Sequence, residues 1–175
     1  SCDSGADDST GRLGEKGYGV DIRWTSYGIP HVKAEDWGSL GYGFAYATAK
    51  DAVCVIARDV QMVNGSLSQY FGDSESNLTS DIFHRAILTD TKLSEFAAQQ
   101  SERSHRMNAG YVAGYNRFLR DKKDQLPKSC AGKNWVRSIT ESDLTRLAIG
   151  VGIRYGLGRF QQQMVQASPA DNLED

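Results

Sequence analysis

Residues 20–72 read VDIRWTSYGIPHVKAEDWGSLGYGFAYATAKDAVCVIARDVQMVNGSLSQYFG, and the fold turns on how this stretch divides. Val20, Ile22 and Trp24 alternate with Asp21 and Arg23, the period of two that sets one face of a strand on a core and the other in water. Tyr27-Gly28-Ile29-Pro30 supplies a turn, with glycine freeing the backbone and proline fixing φ. His31, Val32 and Ala34 return as a second short strand, which completes a hairpin. From Trp37 to Ala49 glycine and alanine are interleaved with aromatics. Small residues at that density let another backbone approach closely, so this segment is expected to be a buried helix packed tightly on a neighbour. Gly41 and Gly43 each cost about 1 kcal/mol of helix propensity against alanine, which calls for a packing reason. Val53, Ile56, Ala57, Val60 and Val63 keep the i, i+3, i+4 spacing of one helical face, and Asn64-Gly65 marks its stop.

Residues 73–80 (DSESNLTS) read as a polar loop. Phe96, Met107, Tyr111, Tyr115, Phe118 and Leu119 mark amphipathic helix through Arg120, with a break near Ser101. Residues 122–134 form a loop that contains Cys130. Thr140-Glu141-Ser142-Asp143 is a capping box with Asp in place of Glu. It opens a helix whose apolar face would be Leu144, Leu147, Ala148, Val151 and Tyr155. The expected organisation is a flexible lead over 1–17, one structural portion over 18–167 and a flexible end over 168–175. The fold class is α+β and mostly helical, with one hairpin and four helices. Two strands alone are marginal in water, so the sheet is expected to be completed by another polypeptide.

The 175 residues carry a net charge of -2 with 24% charged side chains, which offers no basic stripe for nucleic acid. Hydrophobic residues at 39% argue for a packed core rather than a disordered chain. No apolar run approaches the roughly 20 residues that span a bilayer. His31, His84 and His105 are scattered, and none stands beside cysteines or carboxylates at ligand spacing, so neither metal nor cofactor is expected. No GxSxG elbow, dinucleotide fingerprint or phosphate loop is present. His31, on a short strand, reads as a hydrogen-bonded structural histidine rather than a general base. Ser1 is the residue type that acts as a nucleophile through its own α-amine. Such a residue must begin a rigid strand, and here Cys2-Asp3-Ser4-Gly5-Ala6-Asp7-Asp8 follows; it is set aside, leaving no catalytic residue in the chain. Of the three cysteines, Cys2 lies in the polar lead, where Ser-Cys is also how bacterial lipoprotein signals end. Cys54 and Cys130 are then either buried free thiols or a pair. A bridge between them would close more than 70 residues and contribute roughly 4 kcal/mol.

Residues 20–72 resemble the start of the small chain of penicillin-acylase-type enzymes, through Tyr27-Gly28-Ile29-Pro30-His31, the Gly41-Tyr42-Gly43-Phe44-Ala45-Tyr46-Ala47 helix with Asp51 after it, and Tyr70-Phe71-Gly72. Gly110-Tyr111-Val112-Ala113-Gly114-Tyr115-Asn116, Trp135, Asp143 and Gly158-Arg159-Phe160 extend the resemblance to about residue 166. Within the family, Asp21-Ile22-Arg23-Trp24-Thr25, Ser80-Asp81-Ile82-Phe83 and the run to Arg120 are most similar to acyl-homoserine lactone acylases and aculeacin-type acylases. The resemblance implies a self-cleaving precursor and a four-layer αββα sandwich that this chain's hairpin helps to complete. It implies a large partner chain with an N-terminal Ser nucleophile, and a small-molecule acyl amide as substrate. The shared cysteines imply a Cys54–Cys130 disulfide and with it a periplasmic or secreted address, with a lipid tether through Cys2 as a further expectation. Substrate-binding positions carried over are Val151, Leu157, Arg159 and Phe160, bordering an acyl pocket, with plain core packing as the other reading of Val151. Where penicillin acylases proper place a calcium-binding Glu, this chain has Gln166, a neutral and poorer ligand, so no metal site is expected. The implied activity is amide hydrolysis of N-acyl-homoserine lactones, with penicillin or lipopeptide deacylation as the alternative within the class. A non-catalytic helical binding module is the rival from another class.

Overall fold

The computed structural model describes residues 10–15 and 17–167. Expectations for Ser1, Cys2 and residues 168–175 lie outside the described residues.

Strand β2 (Tyr18–Trp24) pairs antiparallel with β3 (Pro30–Ala34), placing Val20 opposite Ala34 and Ile22 opposite Val32. This is the hairpin read from the alternation. A third strand, β1 (Thr10–Glu15), pairs with β2 along its other edge, giving the order β1-β2-β3. Residues 10–15 therefore do not belong to the flexible lead expected over 1–17, and the sheet does not stop at two strands. The signal in TGRLGE is weak because Leu13 is its one large apolar residue and two of its six positions are glycine; pairing with β2 supplies the order that the pattern does not. His31 is exposed on β3, opposite Arg23.

Helix α1 (Trp37–Val63) runs as one element through both stretches read as helical, bending at Ala52 (φ -130°, ψ 17°). Asp36 caps it, accepting a hydrogen bond from the Ser39 amide at 2.9 Å. Val20, Ile22, Tyr42 and Ala47 form the core between sheet and helix. Gly43 meets the sheet there: a Cβ on it would stand 2.5 Å from Val20 Cγ2 and 2.9 Å from Val32 Cγ1.

After α2 (Leu67–Phe71), helix α3 (Glu75–Ile87) occupies most of the segment expected as a polar loop. The polar run 75–79 is largely the exposed side of this helix; its buried positions begin at Ser80 and Asp81 and continue with Phe83 and His84. Asp81 earns its burial by capping α2: it accepts from the Leu67 amide at 2.7 Å and the Ser68 amide at 2.9 Å, a task that Ser66, the local cap, does not perform. His84 is buried with Nδ1 2.7 Å from the Ser80 carbonyl, and burial pushes its pKa down.

Helices α4 (Asp90–Ala98) and α5 (Glu102–Lys122) are separated at residues 99–101, where the break is expected. Helix α5 crosses α1 backbone to backbone. A Cβ on Gly110 would overlap the Gly38 carbonyl, and one on Gly114 would stand 2.7 Å from the Tyr42 carbonyl carbon. From the other side, a Cβ on Gly41 would overlap the Met107 carbonyl of α5, so α5 is the packing reason for Gly41 as the sheet is for Gly43. The main core follows from this crossing: Ala45, Ala49, Val53, Ala57 and Val60 of α1 pack with Tyr115 and Phe118 of α5 and with Trp135 and Ile139.

The segment carrying those last two residues is pinned by three devices. Cys54 and Cys130 form a disulfide with Cα atoms 5.6 Å apart. Gln61 Nε2 donates to the Trp135 carbonyl at 2.9 Å. Asn116 donates to the Ile139 carbonyl at 2.9 Å and accepts from the Ile139 amide at 2.8 Å. Helices α6 (Glu141–Arg154) and α7 (Gln161–Gln166) follow, so the described residues hold seven α-helices rather than four.

Candidate functional site

The positions singled out in the sequence fall on α6 and the segment after it, and the base of α6 is fixed by one carboxylate. Thr140 and Asp143 make a reciprocal capping box, with the Asp143 amide donating to Thr140 Oγ1 at 3.2 Å and the Thr140 amide donating to Asp143 Oδ2 at 2.9 Å. Arg137 grips the same carboxylate with two nitrogens, at 2.8 and 2.9 Å. Asn64, the C-cap of α1, donates to it at 2.7 Å. Burial alone would raise the pKa of Asp143, but Arg137, Thr140 and Asn64 outweigh it and hold the carboxyl at about 2. Charge-assisted hydrogen bonds of this kind join α1, residue 137 and α6 at one point. One turn pair further on, Gly150 seats α6 on α1, since a Cβ there would meet Val63 Cγ1 at 2.9 Å.

Beyond Gly150 the helix leaves the core. Val151 is 56% exposed, which removes the reading of Val151 as core of this chain. The expected apolar face of Leu144, Leu147, Ala148, Val151 and Tyr155 is likewise corrected: Leu147 packs on the core, while Ala148, Val151 and Tyr155 face out. Gly156 has φ -118° and ψ -108° and ends the helical path, and Leu157–Phe160 follow as a 3-10 turn leading into α7. Leu157 and Phe160 are more than half exposed and Arg159 is exposed. The four carried-over positions thus share one surface segment. None of them lines the clefts found elsewhere among the described residues.

Two more apolar side chains stand out on the same segment, Tyr155 at 75% and Met164 at 44% exposure. Met164 was not singled out in the sequence; its spacing of four from Phe160, repeating that of Tyr155 from Val151, is the signal that could have found it. A concentration of large apolar side chains left in water at the end of a capped, well-seated helix is the mark of a surface made to be covered. Chemically the segment offers apolar contact, the guanidinium groups of Arg154 and Arg159 and the Tyr155 hydroxyl, and no Ser, Cys, His or carboxylate. Gln166, at the end of α7, is exposed. Among the described residues no group of His, Cys, Asp or Glu is arranged to hold a metal ion, and no helix is long and apolar enough to cross a membrane.

Comparison with known proteins gives this geometry a context. The profile of the family described as penicillin amidase matches residues 19–169. An acyl-homoserine lactone acylase of Pseudomonas syringae pv. tomato is 40% identical over 163 residues, which covers 89% of this chain and 21% of that protein. Aculeacin-A acylase of Actinoplanes utahensis is 36% identical over 176 residues, covering 92% of this chain and 22% of that protein. This chain therefore spans about a fifth of the length of the curated relatives it matches. Among solved structures, a thermostable penicillin G acylase from Alcaligenes faecalis superposes with a TM-score of 0.69 at 23% identity, covering 79% of this chain and 74% of that one. That chain and this one are of similar length and share a fold, which in this chain is mostly helical with a small sheet. The chain belongs to the penicillin amidase family.

Proposed function

We propose that this chain is the small subunit of a two-chain amidohydrolase that cleaves the amide of N-acyl-homoserine lactones, releasing a fatty acid and the homoserine lactone and so quenching the signal. The single observation that carries the proposal is the exposed apolar segment from Val151 to Met164, which belongs to a chain that matches only about a fifth of its acylase relatives. A large chain cut from the same precursor supplies the nucleophile, a Ser at its N-terminus activated by its own α-amine, together with the groups that stabilise the oxyanion. It also completes the αββα sandwich around this chain's sheet. The small chain contributes no reacting atom. Val151, Leu157 and Phe160 form one wall of the acyl pocket, and Arg159 stands at its border.

A pocket of this kind selects by chain length, because each methylene buried contributes about 0.8 kcal/mol, or about fourfold in rate constant. The Cys54–Cys130 disulfide supports a periplasmic or secreted location, where a lipid on Cys2 would tether the protein. The match to aculeacin-A acylase favours a second reading, deacylation of a lipopeptide by the same machinery. The test is the full-length protein assayed for product against acyl-homoserine lactones of graded chain length, a penicillin and a lipopeptide. Release of homoserine lactone with a chain-length optimum supports the first reading. Cleavage of the lipopeptide alone supports the second, and cleavage of no amide refutes both.

A further inference from the structure

A cleft elsewhere in the molecule shares no residue with the α6–α7 segment. It lies between the sheet and two helices, with Leu13 of β1, Ile22 and Trp24 of β2 and Tyr46 of α1 as apolar walls, and is a half-open groove of about 260 Å³. Two cations complete the lining, Lys50 of α1 and Lys122 at the end of α5. We infer that this cleft binds an amphipathic monocarboxylate, an alkyl carboxylate of medium length, with its head between the two ammonium groups and its tail against the apolar walls.

Charge and lining both select this class. Lys50 Nζ stands 4.3 Å from the centre of the Trp24 ring, and Lys122 Nζ donates to the neutral Gln125 Oε1 at 3.2 Å. No carboxylate among the described residues forms an ion pair with either lysine. Asp121, which accepts from the Tyr46 hydroxyl at 3.4 Å at the edge of the cleft, is neutralised by Arg117 Nε at 2.7 and 2.8 Å. Two cations that form no ion pair among the described residues, at an apolar cleft, favour an anion, and a single carboxylate desolvates more cheaply than a phosphate dianion. The apolar walls add what an inorganic anion cannot use, a place for a hydrocarbon tail. The Trp24 indole N–H is buried without a hydrogen-bond partner among the described residues, so the ring is held by packing and by Lys50. Its fluorescence is the natural reporter of an occupant.

The inference stands apart from the proposed reaction, and its test keeps the two separate. The full-length protein is titrated by calorimetry and tryptophan fluorescence with hexanoate, octanoate and decanoate, and with octylamine as the same tail under a positive charge. Saturable carboxylate binding is expected, tightening about fourfold per methylene until the cavity is filled, with octylamine inert. The double variant Lys50→Gln/Lys122→Gln should bind octanoate at least tenfold more weakly. Gly11→Leu should abolish binding by filling the cleft, because Gly11 lines it and an added Cβ there meets no atom within 4 Å. Both variants should keep the amide-cleaving rate of the parent. Absence of saturable binding overturns the inference, as does octanoate affinity unchanged in both variants, which would put the carboxylate elsewhere in the protein.

Discussion

Replacing Gly114 by alanine tests whether the backbone crossing of α1 and α5 is what organises this chain. A Cβ at Gly114 would lie 2.7 Å from the Tyr42 carbonyl carbon and 2.9 Å from Tyr42 Cα. Carbon atoms pack at about 3.5–4.0 Å, so the helices must part by roughly 1 Å or strain. The obstacle is backbone, and it cannot rotate aside as a side chain would. Overpacking costs about 1–3 kcal/mol and occasionally more, and a rigid obstacle puts this site at or above the top of that range. Alanine returns about 1 kcal/mol of helix propensity. The expected net loss is about 2 kcal/mol, or about 4–8 °C in melting temperature for a domain of this size. Gly152 is the control, because it too lies inside a helix but a Cβ on it meets nothing within 4 Å; Gly152→Ala should hold or raise stability by up to about 1 kcal/mol. Thermal unfolding of the purified protein followed by far-ultraviolet circular dichroism reads both. A Gly114→Ala variant as stable as the parent would refute the reasoning.

Other consequences of the structure are equally open to measurement. Cys54→Ser removes a bridge spanning 76 residues and should cost roughly 4 kcal/mol on the chain-entropy account; denaturant unfolding with and without reductant should show the parent losing what the variant has already lost. Asp143, held at about 2 against an ordinary 3.8, contributes stability that is present above pH about 4 and is lost as pH falls through about 2. That contribution is about 2 kcal/mol, and Asp143→Asn should flatten the acid limb of a stability-against-pH curve. Val151→Phe adds bulk to an exposed position, so it should leave the melting temperature unchanged while moving the preferred acyl chain shorter, at about fourfold in kcat/KM per methylene. An unchanged chain-length profile would remove Val151 from the pocket wall.

Much of the fold is legible in the residues because local and global signals agree. The alternation at Val20, Ile22 and Trp24 gives β2, Thr140 and Asp143 open α6 as the capping pattern requires, and Asn64-Gly65 ends α1. The missed elements are those whose order comes from distant contacts. Strand β1 has little pattern of its own and exists by pairing with β2. The start of α3 looks like a loop because its first residues are solvent-facing, and Asp81, which turns inward, is polar; only the three-dimensional position of the Leu67 and Ser68 amides explains why a carboxylate is buried there. The glycines of α1 announced a close neighbour without naming it, since nothing local in Gly41 says that it will meet the Met107 backbone, or in Gly110 and Gly114 of α5 which carbonyls they will meet. The candidate site followed the same division. Positions 151, 157, 159 and 160 came from resemblance, whereas their exposure, and that of Tyr155 and Met164, follows from Gly150 seating the helix just before the chain leaves the core.

The central claim, that this chain is one wall of a two-chain acylase, is tested most directly by intact-mass analysis of the native protein expressed from its full-length precursor. The account predicts this chain together with a second polypeptide of several hundred residues that begins with Ser, the two co-eluting in one active species. A stable, monodisperse species containing this chain alone would contradict it.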